Sequence, residues 1–191
     1  GLAIGFGAQK LVQDIITGAF ILFEDTISVG DVVTAGGLTG VVERLSIRSI
    51  RLRDLSGNVH TIPFSSVDTV TNMTKVFSMA VIEAGVAYRE NVDDVIAELE
   101  KLGAEMCEDA VWGPLILEPL DVLGVDALAD SAVVIKARFK TVPMKQWTVR
   151  REFNRRMKNR FDELGIEIPF PHQTLYFGVD KDGSAPPVFV Q

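Results

Sequence analysis

The residues with chemistry in their side chains are few and far apart. His60 and His172 are the only two histidines of the 191 residues, and neither has another histidine or a cysteine at metal-ligand spacing. Cys107 stands alone, which excludes an intrachain disulfide and makes it a small core residue rather than a redox centre. The pair Ser65-Ser66 lacks the context of a nucleophile elbow, and spacing assigns it no histidine and no acid. Gly5-Phe6-Gly7 and Gly36-Gly37 are not followed by the lysine-serine pair or strand-to-helix unit that a phosphate cradle requires. The adjacent acids Asp93-Asp94 and Glu108-Asp109 need no catalytic explanation, because helix starts attract acids for dipole reasons alone. A hydrolase or transferase would need a constellation that is missing here. The sequence therefore predicts no catalytic residue, no metal, no cofactor and no enzyme activity.

The bulk composition narrows the remaining classes. Hydrophobic residues make up 47% and the formal charge is -7, so phosphate-rich partners are repelled and no nucleic-acid partner is expected. Mean hydropathy is positive, which is unusual for a wholly soluble protein. The chain opens on Gly1 without a starting methionine or a basic leader, and reads as part of something longer. Its first 23 residues are largely apolar but are interrupted by Lys10, Gln13 and Asp14. A spanning helix needs about 20 mostly apolar residues, and no complete membrane-crossing segment is visible.

These residues must be carried by elements of three kinds. The opening segment reads as a helix in two unlike halves. Gly1, Ala3, Gly5, Gly7 and Ala8 crowd the first half, where small residues suit close helix packing in lipid. Leu11, Val12, Ile15, Ile16, Ala19, Phe20 and Phe23 then recur at helical spacing, a stripe for a core or a membrane interface. From residue 26 to 77 the pattern is one of short β runs punctuated by Gly30-Asp31, Gly36-Gly37 and residues 54–58. This predicts a small bent β-barrel of Sm-like type or an open sheet, with a bulge or sharp bend near Arg48, where Leu45 and Ile47 fall out of phase with Ile50 and Leu52. From 78 to 172 the order strand, helix, strand, strand, helix, strand predicts an α/β ferredoxin-like domain. Its first helix starts at the N-cap Asn91, buries Val92, Ile96, Leu99 and Leu102, and ends or weakens at Gly103. The strand from Val133 to Phe139 alternates inward and outward. The second helix carries Val149, Phe153, Met157, Phe161 and Leu164 as its apolar stripe and stops at Gly165. Residues 173–191 form a C-terminal strand and tail.

Charge is sorted within the α/β part. Residues 83–130 hold 13 acids and 2 bases, whereas residues 136–160 hold 10 bases and 1 acid. The two halves should attract each other or a neighbouring copy.

Several runs, in order and at matching spacing, are similar to one family. They are residues 1–9 and 11–18, Phe23-Glu24-Asp25, residues 29–33, Gly40-Val41-Val42-Glu43, Arg51-Leu52-Arg53-Asp54, Ile62-Pro63, Gly85-Val86-Ala87-Tyr88 and Ile168-Pro169-Phe170-Pro171. Together they resemble the pore-helix end and cytoplasmic part of small-conductance mechanosensitive ion channels.

The resemblance implies a membrane-channel fragment. Residues 1–25 would be the end of the pore-lining helix and an interfacial helix, with residues from about 26 onward in the cytoplasm. It implies a homoheptamer in a lipid bilayer that opens under tension and passes ions and small solutes during hypo-osmotic stress. Leu2 and Phe6 match the apolar rings of the pore gate, Phe6 standing where leucine is commoner. Gly1, Ala3, Gly5 and Gly7 match helix-packing positions. Lys10 replaces a glycine at which some members bend, so Gly18, matching a second glycine, is the expected hinge. Phe64 stands where asparagine is common. The segment 173–178 would pair with its copies in neighbouring subunits. The competing expectation is a soluble oligomeric module binding a small ligand or RNA, because both domain types are reused for such recognition.

Overall fold

A computed structural model describes residues 2–173 and 178, and of residues 2–7 the backbone only. Residues 174–177 of the expected C-terminal strand and the tail from 179 lie outside the described residues. The chain opens with helix α1, Leu2–Phe23. Five antiparallel strands follow: β1 Val32–Ala35, β2 Leu38–Leu45, β3 Ser49–Arg53, β4 Val59–Pro63 and β5 Val70–Asn72. They lie in the order β4-β3-β2-β1-β5.

Local chemistry sets this sheet. Gly36 and Gly37 both take positive φ, 55° and 77°, forming the two-residue hairpin loop that matches strand twist. On β3, Ile50 and Leu52 are buried while Arg51 and Arg53 are exposed, the period-two pattern of a half-buried strand. Ile27, Val33, Ala35, Val42, Ile50, Leu52, Ile62 and Phe64 form its core.

Of the two forms expected for the first sheet the open one is observed and not the barrel, and the expectation at Arg48 is corrected. The sheet is open, since its end strands β4 and β5 are not paired with each other. Between them the chain makes a 3-10 turn at Phe64–Ser66, and Phe64 is buried in the core. The phase change around Arg48 is a chain reversal, not a bend within one strand: β2 ends at Leu45, and the Ser46 amide donates to the Ser49 carbonyl at 2.9 Å. The register irregularity falls at Glu43 instead, between Val42 and Arg44.

The second sheet has β6 Ser78–Val86, β7 Ile116–Leu128 and β8 Val133–Thr141 in the order β6-β8-β7. With α2 Val92–Glu108 and α3 Gln146–Leu164, five of the six expected elements of this domain are present among the described residues. Val133, Ile135, Ala137 and Phe139 are buried as expected. They meet Val95, Leu99, Leu102 and Met106 of α2 and Val149, Phe153, Met157 and Phe161 of α3 in one core. Phe139 and Phe153 stack edge to face with ring centroids 5.3 Å apart, a favoured aromatic geometry.

The helix ends follow their caps. Asn91 caps α2 by accepting the Asp93 amide, and Gly165 closes α3 at φ 71°, where glycine meets no Cβ penalty. Gly103 does not end α2, which runs on to Glu108. A Cβ at Gly103 would lie 2.6 Å from that of Leu120, so the glycine lets helix and sheet approach. Leu164 is exposed rather than part of the α3 stripe, because it is the last helical residue and lies beyond the end of the sheet face that Phe161 covers.

The sorted charge is used within the domain. Arg160 reaches Glu98 and Glu105 at 3.2 and 2.8 Å, and Arg156 reaches Asp109 at 2.6 Å. Glu152 accepts from Arg155 and Arg156, and these bonds, that from Arg155 first, hold its carboxyl down to about 2. A carboxylate so lowered stabilises the fold fully above its ordinary range near 4.5, and the contribution is lost as pH falls toward 2. Glu152→Gln should therefore lower the melting temperature at pH 7, by about 2–4 °C for each kcal/mol the pairs contribute. The gap to the parent should close as pH falls from 4.5 to about 2, as thermal denaturation monitored by circular dichroism would record. A gap of constant size down to pH 2 would mean that the carboxylate charge is not its source.

Candidate functional site

Helix α1 is inverted relative to an ordinary amphipathic helix on a soluble sheet. The face turned to the sheet holds Asp14, Gly18 and Ile21, at the i, i+4, i+7 spacing of one helix side. Its large apolar residues turn outward: Leu11, Val12, Ile15, Ile16 and Phe20 are exposed, and Phe23 is 89% exposed.

The joint between α1 and the sheet has two grips. At the first, Asp14, only 8% exposed, accepts the backbone N–H of Ser65 through Oδ1. A carboxylate receiving an amide is a charge-assisted bond, shorter and stronger than a neutral one. At the second, Gly18 lies against the tip of the β2–β3 hairpin. A Cβ at residue 18 would collide with the Ile47 carbonyl oxygen and come within 2.9 Å of Phe64 Cδ2. The amide of Phe64 in turn donates to the Arg48 carbonyl at 3.1 Å. The hairpin tip and the Phe64 turn thus hold the helix from two sides and are tied to each other. Phe64, where the sequence comparison with the family leads one to expect asparagine, is a buried wedge between helix and sheet.

The connection after α1 is closed down by polar contacts. Lys75 Nζ lies 2.9 Å from Asp25 Oδ2 and donates to Ser28 Oγ at 3.1 Å, and the lysine bond keeps the Asp25 carboxyl below its ordinary range. Asp31 accepts the Ser28 amide at 2.9 Å and Asn72 Nδ2 at 2.7 Å. The Val32 amide donates to Thr74 Oγ1 at 2.9 Å. The exit of the helix is therefore bound to the end of β5.

The residues singled out in sequence fall into three groups. Leu2 and Phe6 lie four apart on α1 and hence on one side of it, a turn apart. Their side chains, with Ala3, Gly5 and Gly7, lie outside the described residues, as does Gly1. Gly18 is placed in the joint, and α1 runs through it without a break. His60 pairs with Asp54 at 3.0 Å in the β3–β4 turn, and the amide of His172 donates to Ser131 Oγ at 2.9 Å, so the two histidines serve separate loops. Burial raises the Cys107 thiol above its ordinary range, which leaves it a poor nucleophile. Among the described residues no three His, Cys, Asp or Glu side chains gather as a metal site, and no helix is long and apolar enough to cross a membrane. Asp14 and Ser65 escaped sequence reasoning. The signal was an acid four residues before a glycine on an otherwise apolar helix.

Removing the carboxylate tests the first grip. Asp14→Ala leaves the half-buried Ser65 amide without its acceptor, which costs at most about 1–3 kcal/mol, the penalty of a fully buried donor, whereas Asp14→Asn keeps an oxygen in place. Hydrogen exchange at the Ser65 amide should quicken about tenfold or more in the alanine variant and much less in the asparagine variant. Equal exchange in all three proteins would show that Asp14 does not hold the joint.

Comparison with known proteins agrees with this architecture. Residues 10–75 match the family model described as "Mechanosensitive ion channel, beta-domain", and residues 80–168 match "Mechanosensitive ion channel MscS, C-terminal". The chain is 40% identical over 183 residues to the small-conductance mechanosensitive channel of Caldanaerobacter subterraneus subsp. tengcongensis, covering 94% of this chain and 63% of that protein. It is 41% identical over 169 residues to the moderate conductance mechanosensitive channel YbiO of Escherichia coli, covering 88% of this chain and 23% of that one. The chain thus spans less than two thirds of either relative. In fold it is similar to the crystal structure of Helicobacter pylori MscS in the closed state, with a TM-score of 0.73 and 23% identity over 94% of this chain and 70% of that one. With both domains matched in order, this chain belongs to the MscS family of mechanosensitive ion channels.

Proposed function

We propose that the chain is the pore-end and cytoplasmic portion of a subunit of a homoheptameric channel that opens under membrane tension and releases ions and small solutes in hypo-osmotic stress. The observation that carries this reading is the inverted helix. Leu11, Val12, Ile15, Ile16 and Phe20 leave a continuous apolar face that the chain's own sheet does not cover, and such a face needs lipid or further helices against it. The small residues Gly1, Ala3, Gly5 and Gly7 suit the same packing from the start of the helix.

In this reading the first turns of α1 from seven subunits surround the pore, and Leu2 and Phe6 form its two apolar rings. A narrow apolar ring cannot replace the hydration of an ion, so it closes the pore by dewetting without a solid plug. The domains from residue 26 onward hang on the cytoplasmic side. Tension moves the outer helices, and the Asp14 and Gly18 grips make the β sheet follow α1 as one body. Gly18 is the expected hinge of α1, and bending there during opening would require its close contact with the Ile47 carbonyl to part.

The gate assignment is tested by Phe6→Ser in the full-length channel. A ring of hydroxyls wets the constriction and weakens the dry closed state, so patch recordings should show opening at lower tension and leak at rest, while Phe6→Leu behaves like the parent. An unchanged threshold with no leak in the serine variant would remove Phe6 from the gate.

A further inference from the structure

The β sheet carries a second feature that the helix joint does not use. On its solvent face, Arg44 of β2, Arg51 of β3 and Thr61 of β4 are direct cross-strand neighbours in one row. Arg48 projects from the reversal between β2 and β3. With Ser46 and Ser49 they line a shallow groove of about 310 Å³, at the lower end of the range that small ligands occupy, about 300–1,000 Å³.

The charge of this groove is unbalanced. Like charges directly opposite each other on adjacent strands destabilise a sheet, yet Arg44 faces Arg51. The one carboxylate beside them, Glu43, is shared between Arg51, at 3.2 Å, and Arg53. No ion pair involves Arg44 or Arg48 among the described residues. Every side chain of the lining can donate a hydrogen bond, and none is a carboxylate. Guanidinium groups present forked donors that fit phosphate oxygens two at a time. Ser46 and Ser49, whose hydroxyls lie 2.9 Å apart, bond to each other at the groove's end and leave the arginines as its donors. An anion in the groove would offset the repulsion between Arg44 and Arg51 and use all three guanidinium groups at once.

We propose that the groove lined by Arg44, Arg48 and Arg51 binds a phosphate group. Its position makes two sources accessible. The Ile47 carbonyl, at the tip of the same hairpin, abuts Gly18 of α1, whose outward face is apolar, so the phosphate of an anionic lipid headgroup can reach it. The groove also opens to solvent, where dissolved phosphate compounds can enter. The chain's overall charge of -7 does not prevent this, because fields are screened beyond about 8–10 Å and the local cluster governs at contact.

The test uses the full-length channel purified in detergent. Melting temperature is followed while inorganic phosphate is added at constant ionic strength, and bound phosphatidylglycerol and phosphatidylcholine are counted by native mass spectrometry. Three proteins are compared: the parent, Arg44→Gln with Arg48→Gln, and a control, Arg150→Gln with Arg151→Gln, which removes the same charge from α3. Without added anion the groove variant should melt no lower than the parent, because a repulsion has been removed. Phosphate or phosphatidylglycerol should bind parent and control at least tenfold more tightly than the groove variant, with phosphatidylcholine indifferent. A response to inorganic phosphate identifies a dissolved source, and a response to phosphatidylglycerol alone identifies a headgroup. Either outcome supports the site. If the groove variant binds both anions as well as the parent, or the parent binds neither, the proposal is overturned. A groove variant that instead melts lower and loses its oligomer without any anion response also overturns it, because the arginines then serve contacts between subunits. None of these outcomes depends on the gate assignment at Phe6.

Discussion

Helix α1 touches the sheet at a point where it has almost no side chain. Gly18 brings the helix backbone against the Ile47 carbonyl, and this close approach fixes most of what surrounds it. With the helix so near, Asp14 one turn earlier reaches the Ser65 amide without stretching, and Phe64 fills the angle between helix and sheet. A larger residue at 18 would push the helix outward and break the Asp14 bond with it. Overpacking of this kind typically costs about 1–3 kcal/mol, more than the roughly 1 kcal/mol that replacing a helical glycine by alanine returns. The glycine is thus kept for proximity, and its poor helix propensity is the cost.

The same proximity explains why the helix faces the wrong way for a soluble protein. Only Ile21 among the bulky residues joins Asp14 and Gly18 on the sheet side, and Leu11, Val12, Ile15, Ile16, Phe20 and Phe23 turn outward. Burial of apolar area stabilises at about 25 cal/mol per Å², and an exposed stripe of Leu, Val, Ile and Phe forgoes that gain until something covers it. The fold of this chain is therefore complete around its two cores and incomplete along α1. Under the function proposed above, bilayer or neighbouring helices would supply that cover.

How much of this was legible in the sequence depended on the range of the interaction. Alternation along β8 and the stripe on α3 from Val149 to Phe161 were readable because period and face are local properties. Asn91 and Gly165 were readable because caps are local too. The choice between barrel and open sheet was not, since it depends on whether β4 and β5 meet, a long-range pairing that no local pattern encodes. Gly103 looked like a helix end because its partner, Leu120, is remote in sequence and only the folded chain brings the two together. Asp14 looked like an interruption in an apolar run for the same reason: its partner lies 51 residues away. Leu2 and Phe6 were chosen by resemblance, and the spacing that places them on one side of α1 is all the fold adds to them.

Electrostatics divides the two domains in a way composition does not reveal. In the α/β domain the acidic and basic stretches meet residue by residue: Lys136 with Asp126, Arg138 with Asp121 and Lys140 with Glu118 across β7 and β8, and Arg156 and Arg160 with the acids of α2. Exposed pairs of this kind are individually weak, so their main effect is to fix partners and to reduce the local field. Part of the polarity between residues 83–130 and 136–160 is thus neutralised within the domain. The β domain does the reverse. Its arginines are neighbours on one face, with Glu43 as the single acid among them, and their field remains outside. A small local excess of charge then counts for more in binding than the larger but neutralised excess elsewhere in the chain.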